Sequence, residues 1–310
     1  MRCTPWEAAV PLTIENDVLE VVVTPGFGAR VVSLIDRRTG RDWMARGGVS
    51  TSVGEDAAYG VGEAVGWDEC FPTVSRWDAT HTPWARQLRD HGDLWGRAWR
   101  VEDHTPATLK TTFEGALFRF TRTLALEGAT LEAAYAVENT GSAPLPFMWA
   151  LHALLATRPG ETLRLPGMTE VDAAYLAANG RRLPPGRLAW PMGRADLPFA
   201  IGEVQSSEAR FAAKLYGTRA GAASVGGPDG WLDLTWEGVS DLGIWLTYGG
   251  WPSPGSGIHH VALEPTTAAV DHLGQAIERG KAAVLPPGET KEWRVAMTLH
   301  PGSRAKPGSS

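Results

Sequence analysis

The sequence predicts an all-β chain built from packed antiparallel sheets, and three observations carry that expectation. Apolar residues recur at every second position along most of the chain, which is the pattern of a strand with one buried face. Glycine and proline, 36 and 22 in number, separate these runs where the backbone must turn. Helical periodicity is nearly absent, and strands without intervening helices pair as antiparallel sheets rather than as a parallel α/β layer. Helix content below about 15% follows, well under the ordinary average.

Taken in order, the alternating runs place strands at 18–24 and 29–36. The stretch 47–66 is polar and glycine-rich and reads as a long loop over one sheet. Strands follow at 97–103 and 108–113. Between 116 and 126, Phe118, Phe120, Leu124 and Leu126 share a face; Glu127 and Gly128 make a short turn, and Leu131, Ala133, Tyr135 and Val137 repeat the pattern. That is a hairpin. Further strands fall at 147–154, 210–216, 231–236, 242–248 and 259–264. In the last, 292–300, Trp293, Val295, Met297 and Leu299 lie on one side. Short helices are expected at 172–178 and 270–278. Nothing divides residues 1–300, which read as one domain, and the tail 301–310 reads as disordered.

Composition excludes several classes of function. The net charge is -6 and the pI about 5.8, so no basic surface for nucleic acid is expected. No run approaches the eighteen apolar residues of a membrane span, and the start MRCTPWEAAVPLTIEND lacks a signal core. The two cysteines, Cys3 and Cys70, form no CxxC pair or disulfide framework. A cytoplasmic monomer or homodimer without membrane or nucleic-acid partners is the expectation. The chain also has 14 Trp against 8 Phe and 5 Tyr. Some fill the core, while a flat indole face can also pack on a sugar ring.

Four stretches set titratable side chains among apolar ones: GWDECFPT (66–73), DHGDLWGRAW (90–99), PFMWALHALL (146–155) and ALEPTTAAVDHL (262–273). His152 is the one ionisable group in its run. Taken alone it fits a core histidine held by a carbonyl better than a proton donor. Glu264 ends an apolar strand that Pro265 keeps extended, and a salt-bridge role competes there with a task in chemistry. His91, in a loop with Asp90, Asp93 and Arg97 nearby, would by itself be a surface histidine. Neither HxxxH nor HExxH occurs, and His259 and His260 point to opposite faces of a strand, so spacing gives no metal site. TPGFGARVVSL lacks the glycine spacing of a phosphate loop and leads into a strand.

Together and in this order, TPGFGARVVSL, DHGDLWGRAW, ENTGSAPLPFMWALH, LGIWLTYGG, ALEPTT and LPPGETKEWRVAMTL resemble the aldose 1-epimerase (galactose mutarotase) family over about residues 18–299. The resemblance implies a large twisted antiparallel β supersandwich that holds a sugar in an open cleft and uses no cofactor. It assigns the general base to Glu264, the general acid to His152 and a substrate contact to His91. Trp67 and Trp95, next to Asp68, His91 and Arg97, are then expected to line the cleft, with at least one indole on the sugar. Two departures stand out. No arginine occurs between Gly54 and Cys70, and Trp95 stands where related hexose-6-phosphate epimerases place an arginine, so a free sugar is expected. The competing expectations are a sugar-binding protein without turnover, or another sugar-active enzyme such as a hydrolase pairing Glu264 with Asp68 or Glu69.

Overall fold

The computed structural model describes residues 10–46, 58–60 and 64–302. Most of the expected loop at 47–66, Cys3 and residues 303–310 lie outside the described residues. Two sheets dominate, one of twelve strands and one of eight. The eight-stranded sheet grows from the expected hairpin. Phe118–Glu127 pairs with Thr130–Asn139 around Gly128, whose φ of 54° is the left-handed conformation glycine tolerates. The long strand Thr290–Pro301 adds on the far side, with Tyr135 opposite Trp293. Inward residues alternate along all three strands, and Phe118, Phe120, Leu124, Leu131, Ala133, Val295 and Leu299 are buried. Fully burying a Phe, Leu or Val side chain contributes about 1.5–3 kcal/mol.

The centre of the twelve-stranded sheet positions the site. Six strands lie side by side in the order Trp67–Cys70, Ala150–Leu155, His259–Thr266, Asp241–Tyr248, Phe211–Thr218 and Glu170–Ala178, all paired antiparallel. One face of this sheet packs on the eight-stranded sheet. Phe71 meets Phe118 and Phe120 at ring separations of 4.6 and 5.5 Å, and Trp149 meets Trp293 at 4.9 Å.

Several sequence expectations are corrected. Residues 172–178 form no helix; they belong to the strand Glu170–Ala178, whose register on Phe211–Thr218 shifts between Ala173 and Tyr175. The bulge puts the buried positions Val171, Ala173 and Leu176 at spacings of two and then three, which imitates a helical period. The helix expected at 270–278 is shorter, Leu273–Glu278. His272 caps it by accepting the Gln275 N–H at 3.3 Å. The strand expected from 97 begins at Arg100, after a turn in which Gly96 takes a φ of 68°. Among the described residues no helix is long and apolar enough to cross a membrane.

Candidate active site

A cleft of about 520 Å³ opens on the sheet face turned away from the eight-stranded sheet. Period-two geometry decides what enters it. On Trp67–Cys70, Asp68 and Cys70 point to one side, Trp67 and Glu69 to the other. Asp68 pairs with His152 across the strands, and the register Ala150↔Thr266 with Leu154↔Ala262 sets His152 opposite Glu264. Side chains directly opposite on neighbouring strands are within contact distance. The acid and base implied by the resemblance therefore stand side by side on the floor of one cleft.

His152 is fixed from behind. Its Nδ1 lies 2.7 Å from Asp68 Oδ1, while Arg30 donates to Asp68 Oδ2 at 2.7 Å. Burial pushes the Asp68 carboxyl up, but Arg30 and then His152 outweigh it and bring it down to about 2. An ionised carboxylate only accepts, so Nδ1 must be the donor and Nε2 is left for exchange with a ligand. The Tyr59 hydroxyl lies 3.3 Å from the same Nδ1.

Glu264 is buried, at 2% exposure, and makes an ion pair with Lys214 through Oε2. Burial opposes the charge on Lys214, but Glu264 and Asp271 overcome it and raise its pKa above the ordinary value. The strand Asp241–Tyr248 runs between those carrying the two residues, and its Gly243 leaves room for them to meet. A Cβ there would stand 2.8 Å from Glu264 Oε2 and 3.4 Å from Lys214 Nζ. Among the described residues, the other carboxylate oxygen, Oε1, is buried without a hydrogen-bond partner, as is His260 Nε2. Both residues line the cleft. Burial, then nearby His152, lowers His260 to about 3, so its imidazole is neutral.

His91 also lines the cleft, in a backbone conformation (φ 59°) uncommon for a side-chain-bearing residue. Its N–H donates to Val74 O at 2.6 Å, and Gly92 sits so close to Phe71 that a Cβ would be 1.9 Å from the Phe71 carbonyl oxygen. The turn is thereby pinned beside the end of Trp67–Cys70. Tyr59 stacks on the His91 ring at 3.6 Å. Burial lowers the His91 pKa, against the pull of Asp90.

The other expected contacts are not in the cleft. Trp67 is fully buried on the inter-sheet side, its Nε1 donating to Glu69 Oε1 at 2.9 Å. Trp95 is also fully buried, donating to Asp90 O at 2.9 Å beneath Tyr59. Neither can lie against a sugar in this arrangement. Asp68, at 1% exposure, backs His152 instead of facing a ligand. Arg97 lies over the Phe113 ring, 5.8 Å from its centroid, away from the cleft. Glu69 is unavailable as a second catalytic carboxylate, since Trp67, Arg122, Tyr135 and Trp149 all donate to it. The aromatic wall comes from elsewhere: Tyr175 and Trp245 at 6.2 Å, with Trp251 edge-on to Trp245 at 6.1 Å. Sequence reasoning missed these three and Lys214. For Lys214 the signal was present, because it is the single charge in the strand FAAKLYGT.

No family model matches the sequence, and no curated protein matches it. Among solved structures, the chain has the galactose mutarotase-like fold. A galactose mutarotase-like protein from Clostridium acetobutylicum superposes with a TM-score of 0.67 at 14% identity, covering 96% of each chain. A galactose mutarotase related enzyme from Lactobacillus acidophilus gives 0.64 at 16%, over 96% of this chain and all of that one (100%). A galactose mutarotase-like protein from Lactobacillus casei gives 0.60 at 17%, over 94% and 100%. At such identities the likeness is one of fold.

Proposed function

We propose that the protein is an aldose 1-epimerase-like isomerase that interconverts the anomers of a free sugar. The observation that supports this reading best is the pairing, on one cleft floor, of His152 with Glu264, whose Oε1 is buried without a partner among the described residues. The anomeric hydroxyl and the ring oxygen are both bonded to C1, so adjacent acid and base can serve them together. Glu264 Oε1 takes the proton of the anomeric hydroxyl while His152 Nε2 gives one to the ring oxygen. The C1–O5 bond breaks, the C1–C2 bond turns, and closure on the other carbonyl face yields the other anomer. Each proton transfer contributes roughly 10²- to 10⁴-fold. His91 and His260 are placed to hold hydroxyls, and Trp245 and Trp251 to offer apolar faces to the ring.

Polarimetry on freshly dissolved aldoses tests this directly. The parent should speed mutarotation of a cognate sugar, and Glu264→Gln and His152→Asn should each lose roughly 10²-fold or more in turnover. Binding of the sugar, followed by tryptophan fluorescence, should change far less. A parent that binds sugar without speeding mutarotation is a binding protein on this fold.

A further inference from the structure

Buried Cys70 and the cleft-lining His91 and His152 converge from three segments. Each offers one ligand atom, and the three atoms lie within 4.8 Å of one another. We propose that they form a binding site for a borderline-soft divalent transition-metal cation of the Zn²⁺ type, and that its occupancy stops proton transfer at His152. The binding half stands on geometry alone; the inhibitory half rests on the acid role proposed for His152.

Sheet geometry gives the site its shape. Cys70 and His152 share a sheet face, Cys70 lying opposite Ala150 and Asp68 opposite His152 on paired strands. His91 reaches them from the turn pinned at Phe71–Gly92. Zn–N bonds of 2.0–2.1 Å and Zn–S bonds of 2.3 Å bring ligand atoms to roughly 3.3–3.8 Å from one another in a tetrahedron. A small closing movement therefore suffices. One thiolate and two imidazoles suit such a cation, and three protein ligands leave one position for an exchangeable ligand.

The surroundings favour a cation as well. Asp68 stands 2.7 Å from His152 Nδ1, and Asp90 stands 3.5 Å from His91 Nδ1. A carboxylate behind a histidine fixes the ring and strengthens it as a ligand. On coordination the S–H bond breaks, the sulfur electron pair goes to the metal, and the proton leaves to solvent. His152, once ligated, has no proton for a ring oxygen.

The chelator-treated full chain titrated with Co²⁺ tests the site. The expected result is one equivalent bound, with the visible bands of four-coordinate Co²⁺, a thiolate-to-cobalt charge-transfer band, and displacement of both by Zn²⁺. Cys70→Ser should lose the charge-transfer band and bind about 100-fold more weakly or worse, beyond the 10–100-fold cost of losing an outer partner. Cys70→Ala, apolar at the same buried position, serves as a second variant if the serine destabilises the fold. Zn²⁺ at one equivalent should also stop mutarotation by the parent, reversibly on chelation. Absence of the charge-transfer band, or equal Co²⁺ affinity in the parent and both variants, overturns the site. If the band appears and the parent never speeds mutarotation, the metal site stands and the isomerase reading falls. If the parent mutarotates but stoichiometric Zn²⁺ leaves its rate unchanged, the inhibitory half is wrong.

Discussion

Lys214 is the ion-pair partner of Glu264, the general base of the proposed reaction. Removing the lysine charge leaves Glu264 in the cleft floor without its ion-pair partner. Lys214→Met should therefore lower turnover roughly tenfold to hundredfold and reduce stability by about 3 kcal/mol, as read by polarimetry and urea unfolding. His260 gives a second prediction at this scale. Its pKa falls from 6.5 to about 3 on folding. Between those values the unfolded chain binds a proton that the folded chain does not, so its contribution is complete above pH 6.5 and is lost as pH falls toward 3. Asp68, lowered from 3.8 to about 2, continues the loss over that lower window. Unfolding free energies of His260→Gln should vary less with pH between 6.5 and 3 than those of the parent. A parent profile flat over that range would contradict the assignment. His152 and Glu264 stood out in the sequence as ionisable groups in apolar surroundings, but only the order of motifs around them, through the family resemblance, pointed to a shared site. Trp67 and Trp95 misled because adjacency in sequence does not say which sheet face a side chain takes.

Among the elements, Asp241–Tyr248 carries a glycine where a side chain would part the Lys214–Glu264 pair. Gly243→Ala inserts one methyl group against both charged groups. Turnover should fall tenfold or more while the strand stays paired, because β backbone accepts alanine. Circular dichroism unchanged with activity lost is the expected result, and unchanged activity would remove the pair from the mechanism. The long hairpin and Thr290–Pro301 were legible from alternation, because each has one buried and one less buried face. Trp67–Cys70 was not, since all four residues are buried and no alternation survives. The bulge at Ala173/Tyr175 hid another strand behind a false helical period. Inside Phe118–Glu127, the inward position that broke the apolar series is Arg122, a buried cation paired with Glu69 at 3.0 Å.

Across the molecule, that ion pair ties the two sheets together. Glu69 belongs to the twelve-stranded sheet, and Arg122 and Tyr135, both of which donate to it, belong to the eight-stranded one. Glu69→Gln leaves Arg122 buried without a countercharge and should cost about 3–5 kcal/mol in urea unfolding. A loss under about 1 kcal/mol would show that the sheets do not depend on this contact. Glu69 also stands between Asp68 and Cys70, so four consecutive residues face in turn the inter-sheet core and the side of the sheet that carries His152. A one-residue slip would exchange the two sets, sending Asp68 and Cys70 toward the eight-stranded sheet and Trp67 and Glu69 to the side that supports His152. On the proposed sugar-isomerase reading, this stretch is closed ground for adaptation to a new sugar, because a change on the side that backs His152 is felt at once in the fold. Room for descent with modification lies across the cleft, where Tyr175, Trp245 and Trp251 are only half-buried. A lineage changing its sugar, in nature or in a laboratory library, should accumulate substitutions on that wall while residues 67–70 stay fixed.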